Sequence, residues 1–227
     1  MKRHQAIIQR ISNENRTVLI IGGGPGGLST AFHLLRIDLQ FASRILILEK
    51  EHYPRPKLCA GGLVTDAEII LERLDLDVRE IPHVDVEAAH FYFAGRGLKI
   101  HPWKTHGKTH AIRVIRRNEF DAWLAEKARD RGIEIREGVT VKGVYPNSEG
   151  VTLETNQGSF CTQIVIGADG SNGVTRKCIL PNEPLSTART LEVITPVSRN
   201  DNPTYHKERD AYFDFLPVPE NIAGYIW

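Results

Sequence analysis

Three glycines spaced as Gly-x-Gly-x-x-Gly are the residues whose spacing is most informative about the chemistry of this chain. Gly22, Gly24 and Gly27 follow the apolar run 18–21 and precede residues with a helical pattern. In this spacing the first glycine makes a tight turn, the second lets the backbone approach a pyrophosphate, and the third lets a helix pack closely on a strand. Unpaired N–H groups at the start of that helix would face the phosphates. The spacing predicts a dinucleotide-binding site.

An acidic residue at the end of a second apolar strand supports this interpretation. The segment 44–49 reads as a strand that ends at Glu49, close to the spacing at which an acid receives the adenosine ribose hydroxyls. An ordinary glycine-rich turn is the alternative. The order strand, turn, helix, strand and acid favours the dinucleotide site and predicts a βαβ unit.

Composition limits the function classes. With 227 residues and a net charge of +1, the chain is long enough for one good core or for one domain and part of a second, and it has no strong field to attract nucleic acid. The cysteines at 59, 161 and 178 match neither a metal site nor a disulfide framework, which favours the cytoplasm. The segment 1–16 lacks the apolar run of a signal peptide, and no later segment has membrane-spanning length, so only peripheral membrane contact stays open.

Periodicity and turn residues predict the elements that position these glycines. A helix is expected over 65–76, with Thr65 as its N-cap and Glu68 completing a capping box. Another is expected over 118–131, ended by Gly132. Short strands separated by turns predict an inserted antiparallel ribbon, and they lie at 133–135, 139–145, 151–154 and 159–161.

A continuous apolar strand over 164–166 leads into Asp169-Gly170 and is typical of a buried parallel sheet. Beyond residue 181 prolines become frequent, and strand-like pieces occur at 190–196, 211–216 and 222–227. We therefore expect an α/β fold followed by the start of a second, β-rich domain.

Taken together, these segments resemble the flavoprotein superfamily that contains the geranylgeranyl reductases and the aromatic-ring hydroxylases. The resemblance implies a Rossmann-like FAD-binding domain in which Gly22, Gly24, Gly27 and Glu49 contact the cofactor. It also implies that Asp169 and Gly170 lie near the pyrophosphate and ribose, although such a pair is more commonly a strand-ending turn. Arg117, before a Phe-Asp helix start, is the implied cofactor-side arginine, with a solvated charge as the alternative.

The segment Lys57-Leu58-Cys59-Ala60-Gly61-Gly62-Leu63 is similar to the Lys-x-Cys-x-Gly-Gly-Leu loop of the geranylgeranyl reductase branch. In that branch the loop lies beside the flavin and its cysteine lines the substrate pocket, which makes Cys59 the candidate catalytic residue and Lys57, Gly61 and Gly62 candidate cofactor residues. The alternative is that Cys59 is a small buried hydrophobe. Tyr225 and Trp227 match the start of a pocket motif, whereas Asp66 departs from the arginine of many relatives.

The resemblance implies a division of the chain into an N-terminal extension at 1–16, an FAD-binding domain at 17–82 and 108–182, and a partial substrate domain at 83–107 and 183–227. Relatives carry a second Gly-Asp motif that contacts the flavin, and this chain has none. We therefore expect an N-terminal portion of a longer flavoprotein, with residues 225–227 left without partner strands.

The function implied is an FAD-dependent oxidoreductase that reduces carbon–carbon double bonds of a prenyl (geranylgeranyl) chain. Either NADPH or a ferredoxin would supply the electrons. The alternatives are a flavin-dependent monooxygenase or halogenase, and an inactive FAD-binding remnant. Expected partners are a hydrophobic small-molecule substrate and a second chain that completes the fold, without nucleic acid or metal. The expected location is the cytoplasm, with membrane association left open.

Overall fold

The computed structural model describes residues 17–101, 110–184, 190–193, 209–220 and 224–227. The chain forms two compact units: unit 1 comprises Met1–Arg55 and Asp121–Thr187, and unit 2 comprises Pro56–Phe120 and Ala188–Trp227. The domain division expected from the sequence assigns 56–82 and 108–120 to the FAD-binding domain instead, and its N-terminal extension lies outside the described residues.

The helices are α1 (Pro25–Ile37), α2 (Phe41–Arg44), α3 (Thr65–Arg73), α4 (Arg117–Asp130) and α5 (Val174–Ile179). The strands are β1 (Val18–Ile21), β2 (Ile45–Leu48), β3 (Gly62–Leu63), β4 (His83–Val86), β5 (Ala88–Phe93), β6 (Arg96–Ile100), β7 (Ile112–Ile115), β8 (Glu134–Arg136), β9 (Val141–Asn147), β10 (Gly150–Thr155), β11 (Gly158–Thr162), β12 (Ile164–Gly167) and β13 (Asp210–Asp214). Short 3-10 helices lie at Val78–Glu80 and Val218–Glu220.

Unit 1 is built on a parallel sheet with the strand order β12-β1-β2-β8. Every residue of β1 and β2 is buried, as expected for apolar strands covered on both faces. This βαβ unit confirms the α/β, Rossmann-like fold predicted from the sequence. The expectation that β12 is buried is wrong: it occupies the sheet edge, and the Ile164 side chain is half exposed.

The predicted antiparallel ribbon forms from β9, β10 and β11. Its buried side chains Val144, Leu153 and Phe160 pack in one cluster with Leu19 and Leu46 of the parallel sheet. The segment near 134, predicted with the ribbon, instead forms β8 and pairs in parallel with β2. The sequence of so short a strand does not determine whether it pairs with the ribbon or with β2. The pairing depends on which strand the tertiary fold places beside it.

The described residues of unit 2 form the sheets β3-β7-β4 and β13-β5-β6. The predicted capping box on α3 is wrong, because Thr65 is already helical and Val64 occupies the N-cap without a side-chain hydrogen bond. Glu68 turns inward instead, and its Oε1 lies 2.6 Å from Nε2 of buried His110. Glu68 therefore pairs with a residue distant in the sequence instead of capping its own helix.

Among the described residues 224–227, Ile226 has a backbone partner, contrary to expectation. Ile226 forms an isolated antiparallel bridge with Asp214 at the end of β13. Of the strands expected at 190–196 and 222–227, residues 194–196 and 222–223 lie outside the described residues, and residues 190–193 form no strand.

A charged network in unit 2 predicts an acid-dependent loss of stability. Arg113 donates to both carboxylate oxygens of Asp85 at 2.6 and 2.9 Å, and this pairing holds the pKa of Asp85 below its ordinary value of 3.8. Because the folded pKa is lowered, the contribution is present above about pH 4 and is lost as the pH falls further. His110 faces Asp85 at 3.7 Å, and Glu68 faces Arg113 at 3.5 Å.

We therefore expect Asp85→Asn to lower the melting temperature at about pH 6 and to have a smaller effect at about pH 3. Thermal unfolding at both pH values measures this difference. Asp66→Asn, which neutralises an exposed aspartate of the same unit, is the control. A deficit for Asp85→Asn that is equal or larger at the lower pH would show that the Asp85–Arg113 pair does not contribute as described.

Candidate functional site

The glycine turn, residues 22–27, connects β1 to α1 and requires glycine at two positions. Gly22 has φ +103°, and a Cβ there would overlap the carbonyl oxygen of Ala168. A Cβ on Gly27 would overlap the carbonyl oxygen of Gly22. The turn and the close helix packing predicted from the spacing are therefore both present.

Gly24 differs from Gly22 and Gly27 because the space that a side chain would occupy there is open. It is the N-cap of α1, which has no side-chain cap and no acidic residue in its first turn. A Cβ on Gly24 would contact only Nη2 of Arg55, at 3.5 Å. An uncapped helix start beside a guanidinium group offers N–H donors and positive charge to an anion.

Glu49 follows β2, and its carboxylate binds the backbone of the glycine turn. Its side chain is 5% exposed; Oε2 accepts the Gly23 N–H at 2.8 Å, and Oε1 accepts the Glu51 N–H at 3.0 Å. Each carboxylate oxygen has a second lone pair and can accept one more hydrogen bond. These contacts are therefore compatible with the predicted ribose contact, which stays a prediction. The position after the second strand is as the motif predicts.

Arg55 is a functional candidate that the sequence motifs do not mark. Its guanidinium lies between two buried carboxylates: Nε is 3.5 Å from Glu49 Oε2, and Nη2 is 3.1 Å from Asp121 Oδ2. Its side chain is 11% exposed, and its buried Nε makes no hydrogen bond. The only sequence signal was a basic residue between prolines in a segment that reads as a loop.

Tyr53 is a second residue that the motifs do not mark. Its hydroxyl donates to the carbonyl oxygen of Gly23, and its ring lies 5.7 Å from the Arg55 guanidinium and 5.8 Å from that of Arg129. Burial, together with the nearby Glu49 carboxylate, raises the pKa of Tyr53, so the hydroxyl keeps the proton that it donates. Tyr53 thereby fixes the backbone next to Gly24.

Asp169 and Gly170 follow β12 next to the glycine turn. A Cβ on Gly22 would approach the Asp169 Cα at 3.0 Å, and Gly170 has φ +85° with open space around it. The Asp169 carboxylate accepts the Thr175 N–H at 3.0 Å and so caps the start of α5. The structure thus brings the Asp-Gly pair beside Gly22.

The remaining predicted cofactor residues belong to unit 2. Gly61 has φ +76°, and a Cβ there would overlap the carbonyl oxygen of Ile115 in β7. Its N–H donates to the Sγ of half-buried Cys59 at 3.4 Å, which fixes the thiol. Lys57 is exposed, and Arg117 is the first residue of α4.

Tyr225 and Trp227 belong to an aromatic cluster of unit 2. Their ring centroids are 5.8 Å apart, and the Tyr225 ring lies 5.4 Å from that of Phe215. Phe215 also lines a cavity of about 420 Å³. The other residues that line this cavity are Phe91, Tyr92, Phe93, Arg96, Gly97 and Leu98, so neither Tyr225 nor Trp227 is among them.

Within the described part of the chain, no group of three histidine, cysteine, aspartate or glutamate side chains is arranged to hold a metal ion. In the same part, none of the helices has the length and apolarity needed to span a bilayer.

The profile of the FAD-binding domain matches residues 15–213. The chain belongs to this FAD-binding family. The glycine turn and Arg55 fit the cofactor, because an uncapped helix start, open space at Gly24 and the Arg55 guanidinium beside it suit an anionic diphosphate. FAD as the expected cofactor is thereby supported, as is membership of the wider flavoprotein superfamily.

Known proteins similar to the chain carry several activities. An uncharacterized protein of Methanosarcina barkeri is 28% identical over 96% of this chain and 51% of its own length. Rifampicin monooxygenase of Streptomyces venezuelae is 31% identical over 77% of this chain and 36% of its own length. The crystal structure of a geranylgeranyl bacteriochlorophyll reductase-like protein from Thermoplasma acidophilum has a TM-score of 0.56 and 25% identity over 69% of this chain and 40% of that one. The chain thus spans about half or less of these relatives.

Tyr53→Phe should weaken FAD binding roughly fivefold, because the Gly23 carbonyl loses a hydrogen bond of about 1 kcal/mol that fixes the turn. Quenching of flavin fluorescence during titration measures the dissociation constant. Tyr145→Phe, which removes the hydroxyl of an exposed tyrosine of unit 1, is the matched control. Equal affinities for Tyr53→Phe and the wild type would show that the hydroxyl does not support the site.

Proposed function

We propose that this chain is the FAD-binding part of an oxidoreductase that reduces carbon–carbon double bonds of a prenyl chain. The observation that carries the FAD-dependent part of the proposal is the open glycine turn at Gly24 with the Arg55 guanidinium beside it. Bound FAD supplies hydride transfer from its N5 atom. The chain binds and orients the cofactor through the start of α1, Arg55 and Glu49.

The reductase assignment is supported by the loop around Cys59. Gly61 fixes this loop on β7, because the Ile115 N–H donates to the Gly61 carbonyl oxygen at 3.0 Å. The thiol of Cys59 is held by the Gly61 N–H, and we assign it to the substrate pocket. The Thermoplasma acidophilum protein described as geranylgeranyl bacteriochlorophyll reductase-like has a related fold.

An apolar substrate is consistent with the surface of unit 2. The cavity beside Phe215 is lined mainly by aromatic and aliphatic side chains. Tyr225 and Trp227 extend the aromatic surface and are assigned to substrate contact in this proposal. A prenyl chain would gain free energy by leaving water for such a surface. NADPH or ferredoxin as electron donor, a second chain that completes the fold and contact with a membrane surface are further parts of the proposal.

A flavin-dependent monooxygenase is the second candidate. The observation in its favour is the 31% identity to rifampicin monooxygenase over 77% of this chain. Both activities would use the same glycine turn, so the FAD site does not separate them. The products do separate them, because an oxygenase adds an oxygen atom and a reductase adds a pair of hydrogens.

The test is to load the full-length or reassembled enzyme with FAD, reduce it with dithionite without oxygen, and add geranylgeranyl diphosphate. Mass spectrometry should find products that have gained a pair of hydrogens at each reduced double bond. Cys59→Ser should lower turnover more than FAD affinity, whereas Cys161→Ser, at an exposed cysteine, should change neither. FAD loss with unchanged turnover per bound flavin would make Cys59 a packing residue. In a parallel reaction in which the reduced protein is exposed to oxygen, an oxygenated product would favour the second candidate.

A further inference from the structure

Asp121 is a buried carboxylate in unit 1 to which the proposed function assigns no role. Its side chain is 0% exposed, and Oδ2 lies 3.1 Å from Nη2 of Arg55. Burying a carboxylate away from water costs free energy unless a charged partner and hydrogen bonds offset the lost hydration. The contact with Arg55 therefore stabilises both groups.

The same contact determines where the Arg55 guanidinium lies. Arginine has a long side chain with many rotamers, and its planar group binds oxygen anions best when its orientation is fixed. Glu49 contacts the guanidinium at Nε and Asp121 contacts it at Nη2, so the group is held at two positions. The held Nη2 is 3.5 Å from the point that a Cβ on Gly24 would occupy.

We propose that Asp121 is a positioning residue that acts through Arg55 on the diphosphate of the bound dinucleotide. It keeps the guanidinium at the start of α1, where the uncapped N–H groups also face the anion. The inference rests on FAD being the ligand, as in the proposed function.

Charge alone leads to the opposite expectation for Asp121. A buried carboxylate next to the site repels a diphosphate, so its neutralisation would tighten binding if the electric field dominated. If positioning dominates, the neutral Asp121→Asn variant holds Arg55 less firmly and binds the diphosphate more weakly. The sign of the change in affinity therefore decides between the two effects.

The experiment measures FAD, ADP and adenosine binding to the wild type and to Asp121→Asn, with ADP and adenosine as competitors of FAD. We expect FAD and ADP to bind about tenfold more weakly to the variant and adenosine to bind equally well, because adenosine lacks the diphosphate. Asp130→Asn, at an exposed position of α4, is the matched control and should match the wild type. Unchanged or tighter FAD binding by Asp121→Asn would overturn the proposal, as would equal losses for ADP and adenosine.

Arg55→Lys tests the same contact from the other side if Asp121→Asn does not fold. Lysine keeps a positive charge between the carboxylates but lacks the planar fork, so the preference for ADP over adenosine should fall. An unchanged preference would contradict the proposal. A wild-type protein that does not bind FAD would overturn the proposed function itself, whereas FAD binding that is insensitive to Asp121→Asn would overturn only the role of Asp121.

Discussion

Replacing Gly24 by valine is expected to abolish measurable FAD binding while the protein remains folded. A Cβ at this position contacts only Nη2 of Arg55, at 3.5 Å, so the fold itself has room for a small side chain. The branched side chain would instead occupy the space through which the backbone approaches the diphosphate. We expect the affinity to fall by at least about a hundredfold, since several charge-assisted hydrogen bonds are lost together. Fluorescence titration with FAD and thermal unfolding measure the two properties.

Gly26→Ala is the matched control for this variant. Gly26 lies in the first turn of α1, and a Cβ there meets nothing within 4 Å. This variant should keep its fold and lose much less affinity for FAD than Gly24→Val, because its side chain is smaller and lies outside the spacing of the three motif glycines. Wild-type affinity in Gly24→Val would refute the placement of the diphosphate at this turn.

Replacing Gly22 by alanine is expected to destabilise the protein by about 4 kcal/mol, combining backbone strain and steric overlap that each cost about 1–3 kcal/mol. The strain arises because Gly22 has φ +103°. The overlap is with the carbonyl oxygen of Ala168, a backbone atom that cannot move without shifting the end of β12. Chemical denaturation monitored by circular dichroism measures the free energy of unfolding.

Gly132→Ala separates the two contributions. Gly132 also has a positive φ, +81°, but a Cβ there would make only an ordinary contact with Ala42 at 3.5 Å. It should therefore show the strain alone and lose less stability than Gly22→Ala. Equal losses of stability in the two variants would show that the overlap of a Cβ at residue 22 with the Ala168 carbonyl oxygen adds no destabilisation.

The parts of the fold that local patterns specify could be predicted from the sequence. The turn at Gly22 and Gly24 requires residue types with special backbone freedom, and such requirements are visible in the chain itself. The position of Glu49 follows from the length of a βαβ unit. The buried strands β1 and β2 follow from their continuous apolar composition.

The parts that depend on distant partners could not be predicted in this way. Arg55 and Asp121 are far apart in the chain, and no local pattern tells which charged side chain a buried carboxylate will meet. Glu68 shows the same limit, because its spacing from Thr65 fits a capping box, yet the carboxylate pairs with His110. Tyr53 lies in the segment 52–63, whose prolines and glycines predict an irregular backbone but not the partner of a hydroxyl group.

Isothermal titration calorimetry of the purified protein with FAD, FMN and ADP tests whether the glycine turn and Arg55 bind the dinucleotide. We expect stoichiometric FAD binding that ADP displaces by competition, and much weaker binding of FMN, because the glycine turn and Arg55 recognise the adenosine diphosphate half of the cofactor. Tight FMN binding, or FAD binding that ADP does not displace, would contradict the placement of the dinucleotide at Gly24 and Arg55.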